Sequence, residues 1–318
     1  MPVRFSDMGN LTSPKAVVRL LEMLFACAAF SLAAVGDWSG ATRSGPFATF
    51  ATFTWCFSFA ATLLIFLVEF TQFHSLLALS WKNLPVTLAA FAAFMNLAAS
   101  VTYPLLVGSE ARPAQAAATT AAAAATTTTT PTPPEAQAQA RSGLLFPVAA
   151  TIASCLTFLA YSTELLITKV EGKGGYMATW PGLLKVLEVF VACVLFVTLA
   201  TVASPEFTGF RWCAGALCAC ALMSLVVIVM MVGECRACCP VPLGRLLLAF
   251  STLASLLHGA VLLAWVLHLR RQTDWLAECP RVDCRRNQLL MSTFLIALNL
   301  LAYVTDFIYS IKLNCSRS

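Results

Sequence analysis

The sequence predicts an all-α transmembrane protein: eight membrane-spanning helices arranged as two tandem four-helix bundles. Three observations predict it. The chain is 59% hydrophobic and only 11% charged over 318 residues, with a mean hydropathy of +0.80, whereas soluble domains run at about 25% charged. Eight apolar runs are each long enough for a bilayer crossing, which takes about 20 residues of helix. The apolar pattern also occurs twice. Arg19-Leu-Leu-Glu22 through Ala26-Cys27 is echoed by Lys185-Val-Leu-Glu188 through Ala192-Cys193. Leu159-Ala160-Tyr161-Ser-Thr163-Glu164 is echoed by Leu301-Ala302-Tyr303-Val-Thr305-Asp306, and Phe53-Thr-Trp55-Cys56 by Phe210-Arg-Trp212-Cys213. Open sheets are excluded in hydrocarbon because their edges leave unpaired backbone groups, and the alternating strands of a membrane barrel are absent.

The spans follow in order. Residues 1–12 are expected to form a cytoplasmic N-terminal tail. The first span, Ala16–Val35, carries Arg19 and Glu22 in its first turns and reads as an uncleaved helix, not a signal peptide. Thr49–Phe70 and Leu84–Leu106 follow, then Leu144–Thr168. Between the last two, residues 107–142 include an Ala/Thr/Pro/Gln tract (111–141) with almost no charge. Such a tract buries too little to offset its chain entropy, so a disordered extracellular loop is expected; alanine allows helix over part of it, but the Thr run and Pro131, Pro133 and Pro134 argue against continuity. The second quartet is Leu183–Ala203, Cys213–Val232, Leu246–Leu269 and Gln288–Ile311, ending in a tail at 313–318. Helices one to four match five to eight, with Tyr103 aligned to Trp265. The domains are thus 13–168 and 169–312. Each holds an even number of helices, so the duplication is parallel, unlike the inverted repeats of many transporters.

Placing the N-terminus inside puts eleven Lys and Arg on the cytoplasmic side against nine outside. Five of the nine (Arg270, Arg271, Arg281, Arg285 and Arg286) lie in one loop that also holds Asp274, Glu278 and Asp283. Without that loop the bias favours cytoplasmic termini. The sequons Asn10-Leu-Thr12 and Asn314-Cys-Ser316 then stay bare. The net charge of +5 is scattered over short loops and forms no nucleic-acid footprint.

In this orientation the ionisable residues of the spans gather at the cytoplasmic end. Arg19 and Glu22, like Lys185 and Glu188, are three apart and share a helical face. Glu69, Glu164 and Asp306 end their helices on the same side. The expectation is a charge lock in each bundle: Arg19 with Glu22 and with Glu69 or Glu164, and Lys185 with Glu188 and Asp306. Independent snorkelling of these side chains is the plainer alternative. The midplane offers only Asn96, His258 and Asn299, residue types that more often hydrogen-bond between helices than carry ions. Small residues, Ala89 to Ser100 on helix three and Cys213 to Ala221 on helix six, are expected to line helix contacts. Trp38, Trp55, Trp81, Trp180, Trp212 and Trp265 fall near span ends, as interfacial anchors do.

Thirteen cysteines divide by environment. Those inside spans read as small packing residues. Cys279 and Cys284, in the last outer loop, suit a short disulfide there and two free thiols otherwise. Cys235, Cys238 and Cys239 follow helix six and are candidates for S-palmitoylation or plain thiols; no second Cys/His pair completes a zinc knuckle. No Gly-rich phosphate loop, metalloprotease helix or nucleophile elbow is present, so no catalytic residue, metal or cofactor is assigned.

The stretch Gly175-Tyr176-Met177-Ala178-Thr179-Trp180-Pro181-Gly182-Leu183-Leu184-Lys185-Val186-Leu187-Glu188 closely resembles the myeloid-associated differentiation marker family. So do Leu79-Ser-Trp81-Lys-Asn83, Tyr103-Pro104, Gly233-Glu234-Cys235 and Leu300 to Asp306. The likeness covers about residues 13–312. It implies two MARVEL domains, each a four-helix membrane bundle with both ends cytoplasmic. It also implies association with cholesterol-rich membrane, vesicle trafficking and membrane apposition, and no catalytic site. The 111–141 insert and Trp265-Val266, where Trp-Pro is expected, depart from the family pattern. The expected protein is a non-enzymatic organiser at the plasma membrane or on vesicles. Its partners would be membrane lipids, cholesterol among them, and membrane or cytoplasmic proteins, not nucleic acid. A solute or ion transporter or channel is the alternative; a lipid enzyme ranks last for want of convergent nucleophiles or metal ligands.

Overall fold

A computed structural model describes residues 13–38, 46–71, 79–124, 134–172, 174–202, 209–233, 243–271 and 285–315. It shows eight α-helices: α1 (Pro14–Trp38), α2 (Pro46–Phe70), α3 (Leu84–Ala124), α4 (Pro134–Val170), α5 (Trp180–Val202), α6 (Phe210–Val232), α7 (Leu243–Arg271) and α8 (Arg285–Cys315). All eight are long and apolar enough to cross a membrane, with spans of 21 to 27 residues. No strand occurs among the described residues.

Local chemistry sets several helix ends. Ser13 Oγ accepts from Ala16 N at 3.2 Å, an N-cap bond, and Pro14 takes the first helical position, where a missing N–H is harmless. The start of α5 repeats the logic: Leu183 N reaches Thr179 O at 3.0 Å, and Pro181 sits in the first turn. Before it, Tyr176–Ala178 forms one 3₁₀ turn. A Cβ on Gly182 would strike the backbone of Tyr176 and Met177, so only glycine lets α5 approach that turn.

The stretch 107–142 differs from expectation. Helix α3 continues to Ala124 and α4 begins at Pro134, so helix replaces the expected disorder over 107–124 and 134–142; residues 125–133 lie outside the described set. Alanine is the best helix former, and eleven of the eighteen residues 107–124 being Ala or Thr did not favour a turn strongly enough to stop it. Only Leu84–Leu105 of α3 is apolar enough to span.

Contacts divide the chain into two compact units, Met1–Phe73 with Ala92–Ile167, and His74–Phe91 with Thr168–Ser318. The second unit thus includes a segment, His74–Phe91, that the sequence assigns to the first repeat. Asn83 shows why. Its Nδ2 donates to Met231 O at 2.8 Å and Ser80 Oγ at 3.1 Å, and its Oδ1 accepts from Met177 N at 3.2 Å. Gly175 N donates to Lys82 O at 3.3 Å and Ser80 N to Val232 O at 2.6 Å. Phe91 meets Phe190 edge-on, with ring centroids 6.1 Å apart.

The interiors differ in bulk. In the first unit Ala29, Ala33, Ala51, Ala99, Ala150 and Ala153 surround Trp55 and Tyr103, whose rings meet edge-on at 5.2 Å. In the second, Leu195, Leu199, Leu217, Val261, Leu295 and Ile296 pack with Trp265. Outward faces carry large apolar residues throughout, among them Leu24, Phe53, Leu64, Leu159, Val229, Leu256, Leu263, Phe294 and Leu301.

Three packing expectations are corrected. Trp55 and Trp265 are core residues at 0% and 2% exposure, not interfacial anchors, whereas Trp180 and Trp212 are exposed. On α3, Ala89, Ala92, Ala93 and Ala99 are buried as expected, but on α6 the inward face is Cys213, Leu217 and Cys220, and Gly215 and Ala219 face outward. Cys56, Cys155, Cys193 and Cys218 are likewise exposed, a position where a weakly polar thiol costs little in lipid.

Candidate functional site: two buried charge clusters

Burial phase pairs the helices position by position. Offsets of 166 for α1/α5, 162 for α3/α7 and 142 for α4/α8 bring buried residues into register, matching Arg19 with Lys185, Asn96 with His258, Tyr103 with Trp265, and Tyr161 with Tyr303. For α2/α6 the matching offset is 162: Ala51 with Cys213, Trp55 with Leu217, Ser58 with Cys220, Thr62 with Ser224 and Ile65 with Val227, all buried. The Phe-x-Trp-Cys echo runs five residues out of this register, because Trp55 points inward and Trp212 outward.

In the first unit Arg19 is almost fully buried. Its Nε donates to Glu164 Oε1 at 2.7 Å and its Nη1 pairs with Glu69, which is partly exposed. The carboxyl of Glu22, itself fully buried, adjoins Glu164 and accepts from Thr62 Oγ1 at 3.2 Å. Thr62 Oγ1 and Tyr161 OH are 2.6 Å apart, and Tyr161 OH donates to Ser58 O at 2.9 Å. From there polar contacts continue: Asn96 Nδ2 donates to Ser58 Oγ at 2.7 Å, Ser154 Oγ to Asn96 O at 3.4 Å, and Trp55 Nε1 to Ser154 Oγ at 2.9 Å. All four helices join this ladder, and above Tyr161 none of its members is ionisable in the ordinary range.

The second unit repeats the arrangement with other side chains. Lys185 Nζ lies 2.9 Å from Glu188 Oε2 and 2.8 Å from Asp306 Oδ2, all three buried. Ser224 Oγ donates to Glu188 Oε2 at 2.6 Å and lies 3.1 Å from Tyr303 OH. The Tyr303 ring stacks obliquely on His258, centroids 4.5 Å apart. Asn299 Nδ2 stands 3.3 Å from His258 Nε2 and Nδ1 stands 3.3 Å from Ala254 O. An amide nitrogen only donates, so Nε2 accepts and Nδ1 carries the proton toward the carbonyl.

Every residue of the expected lock therefore lies in a charge cluster. Glu69 and Glu164 share Arg19, and Glu22 enters through Glu164 and Thr62. Sequence reasoning missed the hydroxyls of Thr62, Tyr161, Ser224 and Tyr303. The Tyr161/Tyr303 echo was visible, but the slipped α2/α6 register hid the correspondence of Thr62 and Ser224. Cys279, Cys284, Cys235, Cys238 and Cys239 lie outside the described residues, so neither the disulfide nor the acylation reading is addressed. Among the described residues, no three His, Cys, Asp or Glu side chains converge as metal ligands.

Eight apolar crossings with their charges paired internally define a multi-pass integral membrane protein of helical type. The chain belongs to the myeloid-associated differentiation marker family. It is 34% identical over 335 residues to a myeloid-associated differentiation marker homolog of Xenopus laevis, covering 98% of each chain. It is 33% identical over 332 residues to the human myeloid-associated differentiation marker, covering 98% of this chain and 92% of the relative. Against myeloid-associated differentiation marker-like protein 2 of Bos taurus the identity is 32% over 316 residues, covering 96% and 94%. No protein-family model matches the chain. No solved structure matches it either.

Proposed function

We propose that this protein is a non-enzymatic organiser of ordered, cholesterol-rich membrane, acting at the plasma membrane or on vesicles with both termini in the cytoplasm. The observation that carries this reading is the inside-out distribution of its side chains. Large apolar residues cover the outward faces of the helices, and the polar and charged groups are spent on one another inside. Such a molecule meets its surroundings through lipid packing, not through a polar pocket. Spans of 21 to 27 residues correspond to roughly 32–40 Å at 1.5 Å per residue. They are long enough for the thicker bilayers of sterol- and sphingolipid-rich membrane. Its partners on this reading are lipids, cholesterol among them, and other membrane or cytoplasmic proteins.

Partitioning tests the proposal. The full chain, labelled and reconstituted in giant vesicles with coexisting ordered and disordered phases, is expected to enrich in the ordered phase and to lose that preference on cholesterol extraction. Uniform distribution before and after extraction would refute it. The polar ladder from Glu22 to Trp55 is the one feature that favours a transporter or channel instead. That reading requires solute or ion flux in proteoliposomes that falls in Asn96→Leu, and flat traces eliminate it.

A further inference from the structure

The turn between α4 and α5 is held by hydrogen bonds to the segment before α3. Asn83 pins it through Met177 N, and Lys82 O accepts from Gly175 N, so the turn before α3 is docked onto it. A side chain on Gly175 would collide with Asn83, and Gly172 adopts φ 63°, a left-handed conformation that glycine tolerates best. Exposed side chains lie on or beside the described part of this turn. Lys169 Nζ sits 3.8 Å above the centre of the Trp180 ring. Trp180 is 59% exposed and the neighbouring Val170 is 86% exposed. Lys82 is exposed on the segment bonded to Gly175.

The charge balance at this end of the second unit is one-sided. Lys185 is consumed by Glu188 and Asp306. The exposed charged residues at this end, among those described, are Lys82, Lys169, Arg245, Lys312 and Glu171. Lys312 Nζ likewise stands over an aromatic ring, 6.0 Å from the centre of Tyr309. An ammonium lodged against an indole keeps donors free on its other side. Tryptophan prefers the headgroup level of a bilayer. A basic head over an apolar foot, held rigidly at a span end, matches the chemistry of a phospholipid with net negative charge. The orientation proposed above places this end in the cytoplasmic leaflet, where anionic lipids concentrate.

We infer that the α4–α5 turn binds the headgroup of an anionic phospholipid, with Lys82 and Lys169 on the phosphate and Trp180 at the acyl-chain boundary. The inference does not rest on the organiser role and survives its failure. The test uses the full chain in nanodiscs of phosphatidylcholine containing a minor fraction of phosphatidylserine or phosphatidylinositol bisphosphate, with retained lipids counted by native mass spectrometry. The wild type is expected to retain the anionic lipid over phosphatidylcholine. Each lysine removed lowers that preference about fivefold, and K82Q/K169Q about 25-fold. K82R/K169R keeps it, as does R211Q at the start of α6, the end of that helix away from Val232, whose carbonyl bonds the Lys82 segment. Equal retention by K82Q/K169Q, or equal loss in R211Q or in the arginine pair, would overturn the site. Displacement of the lipid by inorganic phosphate or a soluble inositol phosphate alone would show a general anion site and refute the lipid assignment.

Discussion

Lys185 and Arg19 carry out the same task with different chemistry. Lysine is a point charge reaching two carboxylates, Glu188 and Asp306, within 2.9 Å. Arginine is a planar fork and divides its donors between Glu164 and Glu69. Desolvating such groups is costly, so the intact clusters specify how α1, α2 and α4, and likewise α5, α6 and α8, meet more than they add net stability. Breaking one is a different matter, because it leaves carboxylates buried without a cation. Lys185→Met is therefore expected to lower unfolding stability by about 3–5 kcal/mol, read by denaturation in mixed micelles. Arg19→Met should fall at the lower end of that range, since Glu69 is 39% exposed and its share is screened by water and headgroups. Replacing Glu188 and Asp306 by Gln and Asn in the Lys185→Met background should recover much of the loss. No recovery would mean the lysine acts through packing alone.

At the scale of the helix, the sequence displayed its spans openly and its registers unevenly. Hydropathy located all eight helices because a span must be apolar over its whole length. The charged echoes fixed α1 against α5 and α4 against α8, since a charge in a span tolerates one depth and one face. Helices α2 and α6 carry no buried charge to anchor them, and the Trp-Cys pair misled because tryptophan serves equally as a core residue and as an interfacial anchor. The Asn83 latch was not legible as such. Its partners are the backbone atoms of Met177 and Met231, which leave no side-chain signature. The corrected register makes a prediction that the echo does not. Trp55→Ala empties a fully buried site walled by alanines that cannot fill it, so it should cost about 3–5 kcal/mol. Trp212→Ala on the outward face should stay within about 0.5 kcal/mol. Comparable losses in the two variants, measured in one detergent series, would restore the echo's register and remove the pairing of Thr62 with Ser224.

Across the whole molecule an even number of crossings puts both termini on one side without fixing which side that is. On the topology proposed above, the eight candidate spans among the described residues return the chain to the side on which it began. Helix α8 brings Cys315 to its end as an exposed thiol, and residues 272–284, with Cys279 and Cys284, stand between α7 and α8 in the sequence. Cytoplasmic termini make these sites respond in opposite ways to a reagent that cannot cross membrane. In a chain whose other cysteines are replaced, Cys315 should stay unlabelled on intact cells and react once they are permeabilised. Cys279 and Cys284 should be reachable from outside, and if bridged they should react only after reduction, since an oxidising exterior maintains a disulfide that the cytoplasm would reduce. Labelling of Cys315 on intact cells, or glycan on Asn10 or Asn314, would invert the molecule. Inversion would carry the basic turn of Lys82 and Lys169 to the outer leaflet, away from the anionic lipids of the cytoplasmic one. One labelling experiment thus bears on the placement of the charge clusters and on the lipid expected to meet the α4–α5 turn.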